Sequence, residues 1–219
     1  MKTMKTMLVI GLGRFGRHLA FSLTDLDCQV MAIDKNEELV DEAAERVEDA
    51  RIADCTDEAV LKAIDVESFD CCFVCIGQDF LAAMEITALL KEEGARRVVV
   101  KAGSERHANL LLKIGADEII YPERDMARSS AVRYATDNTL GSFELSEEYA
   151  IFEISPPEGW LGKTVAELNV RRKYDVNVIG IRREGKVAPI TSGDFVFNEG
   201  QTLLLAGEKK ALLRLAERG

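Results

Sequence analysis

The chain has 219 residues, 47% hydrophobic and 30% charged, an ordinary globular composition that argues against a disordered or fibrous chain. Its formal net charge of -10 disfavours nucleic acid and strongly anionic membrane surfaces as partners, and no basic, aromatic-laced segment offsets it. No apolar run approaches the roughly 18 to 20 residues that span a bilayer. The first ten residues, MKTMKTMLVI, carry two lysines but lead straight into a glycine loop, so they read as a first strand of a cytoplasmic protein rather than a signal peptide.

In chain order, the first two-thirds alternates strand and helix. MLVIG precedes a glycine loop and a helix from Phe15 to about Asp25. VMAID at 30–34 is the second strand, followed by a helix from about Asn36 to Val47. ARIAD at 50–54 is a weaker strand, after which Thr56 is the expected cap of a helix running through Ile64. CCFVCIG is the fourth strand, Phe80 to Glu93 the fourth helix and RVVVKA the fifth strand. Ser104 caps a helix ending near Gly115, and EIIYP is the sixth strand. Strands separated by helices of this size predict a parallel sheet covered on both faces. From Pro122 to about Thr139 a single helix leaves this domain, with Met126, Ala127, Ser130, Ala131 and Tyr134 on a seam suited to packing. From Tyr149 the texture changes to short strands (YAIFEI, VNVIGIRR, KVAPI, DFVF and TLLLAG), with a turn at Glu184-Gly185, a short helix near Thr164 to Leu168 and a terminal helix from Glu208. This is a small α+β module.

The five cysteines, Cys28, Cys55, Cys71, Cys72 and Cys75, are odd in number and crowded, which argues for a reducing compartment rather than a disulfide framework. Cys72 and Cys75 form a CxxC inside a strand, where residues three apart face opposite sides and chelate metal poorly.

Gly11-Leu12-Gly13-Arg14-Phe15-Gly16 matches GxGxxG between a strand and a helix, and Asp34 ends the second strand. Gly11 permits the tight turn, Gly13 lets the backbone approach a diphosphate and Gly16 lets the helix pack against the strand. The helix start offers free N–H groups to phosphates, and Asp34 accepts from ribose hydroxyls while its charge opposes a 2'-phosphate. Together these predict an α/β fold with a doubly wound parallel Rossmann sheet. Arg14 suits either the extra phosphate charge of ADP or ATP, or a plain surface position over the helix start. There is no GxxxxGK[ST], no tyrosine with a lysine four residues later, and neither His18 nor His107 has a visible catalytic partner. The chain is therefore read as a sensor rather than an enzyme, with an NAD-dependent oxidoreductase as the distant alternative.

With these residues in view, GLGRFG at 11–16, Asp34, Lys101-Ala102, IGAD at 114–117, YPERDMA at 121–127 and NVRRKY at 169–174 together resemble the regulatory subunits of Ktr/Trk bacterial potassium uptake systems, the RCK proteins. The resemblance covers nearly the whole chain. It implies a nucleotide domain over 1–140, with a crossover helix at about 123–139, and a regulatory and dimerisation domain over 141–219. It also implies a cytoplasmic homodimer assembling into an octameric ring, held at the inner face of the plasma membrane by a separate potassium-translocating subunit without inserting into the bilayer. The ligands so implied are ATP or ADP, with NAD(H) as an alternative. In the glycine loop, Gly11, Gly13, Phe15 and Gly16 would cradle the phosphates and Arg14 would contact the outer ones. Asp34 and Lys35 would take the ribose, Asp54 and Cys55 would flank the adenine, and Ile76, Gly77 and Lys101 would line the exits of the fourth and fifth strands. Glu123 would help hold magnesium or sodium at the phosphates, although by itself it reads as a dipole partner in a first helical turn. The pair Asp54-Cys55 departs from the small neutral pair common at that place, which leaves nucleotide preference open.

In some members the C-terminal domains dimerise around cyclic di-AMP, and by resemblance Asn169, Arg171, Ile181 and Pro189 would form that site here. The basic run from 169 to 174 reads equally as a solvated turn. A related RCK regulator of a potassium channel or of another cation transporter is the nearest alternative, because the membrane partner is a different polypeptide.

Overall fold

The computed structural model describes residues 4–136 and 138–217. Asp137, within the range expected for the crossover helix, lies outside the described residues, as do residues 1–3 and 218–219 at the ends of the two expected domains. The chain forms two compact units, Met1–Pro122 and Glu123–Gly219.

The first unit holds six parallel strands: β1 (Thr6–Ile10), β2 (Gln29–Asp34), β3 (Asp49–Ile52), β4 (Cys71–Val74), β5 (Val98–Lys101) and β6 (Glu118–Ile120). Their order is β3-β2-β1-β4-β5-β6. The chain starts in the middle, moves to one edge and then returns past β1 to the other, so the connections diverge between β1 and β4. Five helices intervene: α1 (Arg14–Asp25), α2 (Glu37–Ala44), α3 (Glu58–Ala63), α4 (Phe80–Glu92) and α5 (Glu105–Ile114).

Side chains alternate across this sheet and build two cores. Leu8, Ile10, Cys72, Val74, Val98 and Val100 face Leu61 of α3, Ile86 and Leu90 of α4 and Leu111 of α5. Met7, Val9, Val30, Ala32, Cys71 and Val99 face Ala20 of α1 and Val40 and Ala43 of α2. The near-continuous apolar character of these strands follows from burial on both faces. Cys72 and Cys75 sit in opposite cores, as strand geometry predicts. One expected cap is corrected: α3 is capped by Asp57, whose side chain accepts from the Ala59 amide, while Thr56 lies outside the helix and binds Asp54.

The second unit contains α6 (Pro122–Ala135, its first residue shared with the first unit) and a five-stranded antiparallel sheet of order β10-β9-β11-β8-β7. Its strands are β7 (Thr139–Glu144), β8 (Tyr149–Ile154), β9 (Val176–Arg183), β10 (Lys186–Pro189) and β11 (Thr202–Glu208). Three helices complete it: α7 (Val165–Leu168), α8 (Val170–Tyr174) and α9 (Lys209–Ala216). The core lies on one face of the sheet, where Ala150, Phe152, Ile154, Leu203 and Leu205 pack with Trp160, Phe197, Leu212 and Leu215.

Three sequence expectations need correction here. The segment DFVF is not a strand. Apart from a single bridge between Thr164 and Val196 it is irregular, held by burial of Phe197. The helix expected to about Thr139 ends at Ala135, and Thr139 opens β7, an edge strand the sequence did not signal. The basic run after Asn169 is a short helix rather than a turn. Within the single chain the seam of Met126, Ala127, Ser130, Ala131 and Tyr134, expected on a crossover or dimer helix, is not buried, with Met126 68% and Tyr134 80% exposed.

Candidate functional site

The carboxyl ends of β1, β2, β3 and β4 surround a cavity of about 350 Å3. It lies where the strand order reverses, the usual ligand crevice of an open parallel sheet. Ile10, Gly11 and Gly13 form one wall, Asp34, Lys35 and Leu39 another, and Ala53 to Thr56 a third. Cys75 to Asp79 close the fourth side, with Ala82 and Ile86 below.

The glycine loop is shaped by contacts that exclude side chains. Gly11 has φ +92°, and a Cβ there would lie 3.1 to 3.2 Å from Ile76 and the Cys75 backbone. A Cβ on Gly16 would lie 1.8 Å from the Gly11 carbonyl oxygen, so α1 can approach the loop only with glycine there. Gly13 is different: a Cβ on it would meet nothing within 4 Å. Its backbone faces open space, as approach of a phosphate requires.

Capping separates α1 from the other helices of this unit. Asn36, Asp57, Asp79 and Ser104 each cap their helix with a side-chain acceptor. The cap residue of α1 is Gly13, which makes no side-chain bond, and no acidic residue occupies the first turn. The first N–H groups of α1 and their partial positive charge are thus left for an external anion. Arg14, the first residue of that helix, is exposed and adds a guanidinium.

Asp34 is engaged from both sides. Its Oδ2 accepts from the Leu12 amide at 2.6 Å and its Oδ1 from the Asn36 amide at 2.9 Å. The carboxylate therefore ties the glycine loop to the end of β2, and each oxygen keeps a lone pair for a hydroxyl donor. Asp54 is pinned likewise: Thr56 donates its hydroxyl (2.7 Å) and its amide (3.0 Å) to Oδ1. These bonds, with the charge of Lys35, hold the Asp54 carboxyl below its ordinary range against a smaller opposing effect of burial.

Cys55 and Cys75 line the same cavity. Burial pushes the Cys55 thiol up to about 12, with the Asp54 and Asp34 charges acting in the same direction. Burial also pushes Cys75 up to about 12, against the charge of Lys101. Both are neutral packing groups at physiological pH rather than nucleophiles. His107 stacks on Phe80 with ring centroids 3.8 Å apart, and His18 is exposed on α1.

Of the residues expected to bind, Gly11, Gly13, Asp34, Lys35, Asp54, Cys55, Ile76 and Gly77 line the cavity. Arg14, Phe15, Gly16 and Lys101 do not line it. Gly16 acts by packing, and a Cβ on Gly77 would lie 3.3 Å from Lys101 Nζ, so that ammonium lies beside the exit of β4. Glu123 stands in the first turn of α6, in the other unit. Among the described residues no group of three His, Cys, Asp or Glu side chains suits a metal ion. Gln78 and Asp79 were missed from the sequence. Their signal was Asp79 as a cap immediately before α4.

In the second unit, Asn169 sits between α7 and α8 at φ +47° and Arg171 is exposed on α8. Ile181 lies on β9 opposite Ala188, and Pro189 is exposed on the edge strand β10 opposite Gly180. A crevice beside α8 is lined by Asn169 together with Lys163, Glu167, Leu168, Arg172 and Lys173, and includes none of Arg171, Ile181 or Pro189.

No helix among the described residues is long and apolar enough to cross a membrane. The TrkA-N domain family matches residues 7–122 and the TrkA-C domain family residues 149–218. The Ktr system potassium uptake protein C of Bacillus subtilis (strain 168) is 37% identical over 214 residues, covering 98% of this chain and 97% of that one. The Ktr system potassium uptake protein A of the same organism is 35% identical over 215 residues, with 98% and 97% covered. Among solved structures, the GsuK channel superposes with a TM-score of 0.73 at 20% identity over 100% of this chain, which spans 40% of that chain's length. The fold is that of an RCK domain, and the chain belongs to the TrkA-N/TrkA-C family together with the Ktr system potassium uptake proteins.

Proposed function

We propose that this chain is a nucleotide-sensing regulatory subunit of a potassium uptake system and that it binds ATP or ADP in the crevice of its first unit. The observation that carries this reading is the uncapped start of α1 among four capped helices, beside Asp34 and a cavity of about 350 Å3 at the strand ends. The phosphates rest on the α1 amides near Gly13 and Arg14, the ribose on Asp34 with Lys35, and the base between Asp54-Cys55 and Ile76-Gly77. Lys101 lies on the phosphate side. Arg14 distinguishes ATP from ADP, because only the third phosphate reaches beyond the amides. Sensing requires that the two ligands favour different shapes, since a ligand that binds both equally shifts nothing.

NAD(H) is the second reading, favoured by the GxGxxG loop with Asp34 at the end of β2. Glu123 would complete a magnesium or sodium site only together with the nucleotide phosphates. The exposed Met126 and Tyr134 of α6 favour a second copy of the chain against that helix, in a homodimer that builds an octameric ring. The ring works at the cytoplasmic face of the plasma membrane through a potassium-translocating subunit; the names of its relatives, Ktr system potassium uptake proteins, support a part in potassium uptake. A potassium channel or another cation transporter is the alternative partner. Cyclic di-AMP at Asn169, Arg171, Ile181 and Pro189 would be a second input.

Calorimetry with ATP, ADP and NADH tests the proposal on wild type, Gly13→Asp and Arg14→Ala. Gly13→Asp has room for its side chain and caps α1 with its own carboxylate, so nucleotide affinity drops at least tenfold while the fold is retained. Arg14→Ala loses the ATP-over-ADP preference and keeps adenosine binding. Unchanged affinity in Gly13→Asp removes the phosphate site from α1.

A further inference from the structure

The second unit carries its own anion-sized crevice. It has a volume of about 310 Å3 and lies between α8 and α9, lined by Arg172, Lys173, Tyr174, Asp175, Ala211, Arg214 and Leu215. Its three cations face a single carboxylate, Asp175. The setting makes this notable: residues 123–219 hold fourteen Lys and Arg against fifteen Asp and Glu, whereas residues 1–122 hold fourteen against twenty-three. The crevice thus concentrates positive charge in a chain whose net charge is -10.

Local structure holds these cations in place. Val170 is buried in the core, and Tyr174, four residues on, packs against Trp160 with ring centroids 5.2 Å apart. This pair seats α8 and turns Arg172 and Lys173 outward. Asn169 and Asp175, at φ +47° and +60°, bracket the helix and fix where it starts and stops. On α9, the Arg214 Nε donates to the Lys210 carbonyl at 3.2 Å, which orients the guanidinium and leaves its terminal N–H groups available. Ala211 and Leu215 are buried and form an apolar floor.

Two other cations of this unit pair with carboxylates, Lys209 with Glu144 at 3.0 Å and Arg182 with Glu153 at 2.8 Å. Among the described residues Arg172, Lys173 and Arg214 have no carboxylate within ion-pair distance. The ammonium of Lys173 instead lies 5.4 Å from the Tyr174 ring centroid. Two planar guanidinium groups and an ammonium over an apolar floor match a tetrahedral, multiply charged oxyanion better than a monocarboxylate. We propose that this crevice binds the phosphate groups of a soluble phosphorylated molecule, through Arg172, Lys173 and Arg214. It is distinct from the nucleotide crevice of the first unit and shares no residue with the set Asn169, Arg171, Ile181 and Pro189.

The test is calorimetric titration of pyrophosphate into the full chain at constant ionic strength, for wild type, Gly13→Asp, Arg171→Ala and the double variant Arg172→Gln/Arg214→Gln in the Gly13→Asp background. Binding persists in Gly13→Asp and in Arg171→Ala, and in the Gly13→Asp background, where the α1 site is closed, it weakens at least tenfold when Arg172→Gln and Arg214→Gln are added. Lys173→Glu, a single exposed change, weakens it likewise and serves as the check if the double variant melts early. Flotation with phosphatidylglycerol vesicles distinguishes a lipid headgroup as the source of phosphate. The proposal is overturned if pyrophosphate binding is lost in Gly13→Asp alone or is unaffected in both crevice variants. It is also overturned if the chain floats with vesicles through Arg172 and Arg214 without binding pyrophosphate.

Discussion

The two units solve the burial problem differently. The first covers both faces of a parallel sheet with helices, so its central strands are nearly continuously apolar and its main cavity lies at the strand ends. The second covers one face of an antiparallel sheet. Its strand β8 alternates buried Ala150, Phe152 and Ile154 with Ile151 and Glu153, which face away from that core. The difference teaches where each unit has freedom to bind. In the first, one helix start, that of α1, carries no side-chain cap, whereas the other four helices bring their own acceptors. In the second, polar and charged groups collect on helices and edge strands outside a single core.

The largest expected effect comes from that single core. Phe152→Ala removes a side chain that is 2% exposed at the centre of the second unit, and the loss is about 4 kcal/mol. Denaturant unfolding followed by the lone Trp160, which lies in the same core, reads it directly. A smaller loss would mean that this core is not the unit's main support. Gly16→Ala probes the first unit by collision with the Gly11 carbonyl and costs about 3 kcal/mol, with loss of nucleotide binding. If that variant is as stable as wild type, the close approach of α1 to the loop is wrong.

Caps sharpen the contrast at lower energy. Asn36→Ala deletes the acceptor for the Glu38 amide at 3.0 Å and lowers stability by about 1 kcal/mol. Gly13→Ser, by contrast, changes stability by a few tenths of a kcal/mol and acts on ligand affinity instead. Equal effects on stability and affinity from both would erase the distinction between capped and open helices.

The smallest effect concerns acid. Burial alone would raise the Glu153 carboxyl, but hydrogen bonds from Arg182 and Thr202, with the Arg182 charge, outweigh it and hold it below its ordinary value. A carboxyl depressed in the folded state adds stability that is complete above its unfolded pKa, about 4.3, and is lost as pH falls through the lower folded value. Glu153→Gln therefore flattens the acid limb of the second unit's stability profile below about pH 4.3, measured by Trp160 fluorescence. An unchanged acid limb would show that the Arg182 bond contributes nothing net.

Much of the first unit was legible in the sequence because its signals are local. Apolar runs mark the strands other than the weak β3, Asn36 and Ser104 mark helix starts, and three glycines with Asp34 mark the loop beside the cavity. The second unit was less legible. The sequence of β7 (TLGSFE) lacks a continuous apolar run, and its place is set by pairing with β8 ten residues on. DFVF has the composition of a strand, yet Phe197 turns into the core and the segment pairs only through Val196. The crevice between α8 and α9 unites Arg172 and Arg214, 42 positions apart, and no spacing rule relates them.

By itself the sequence determined the parallel sheet, the glycine loop between β1 and α1 and the opposite facing of Cys72 and Cys75, because backbone propensity and side-chain alternation act over a few residues. Only the tertiary structure decided which helix start stays open, that Asp34 holds the loop through the Leu12 amide, and which cations share a crevice. Those features depend on groups brought together across tens of residues by packing, and packing is a property of the assembled cores rather than of any segment.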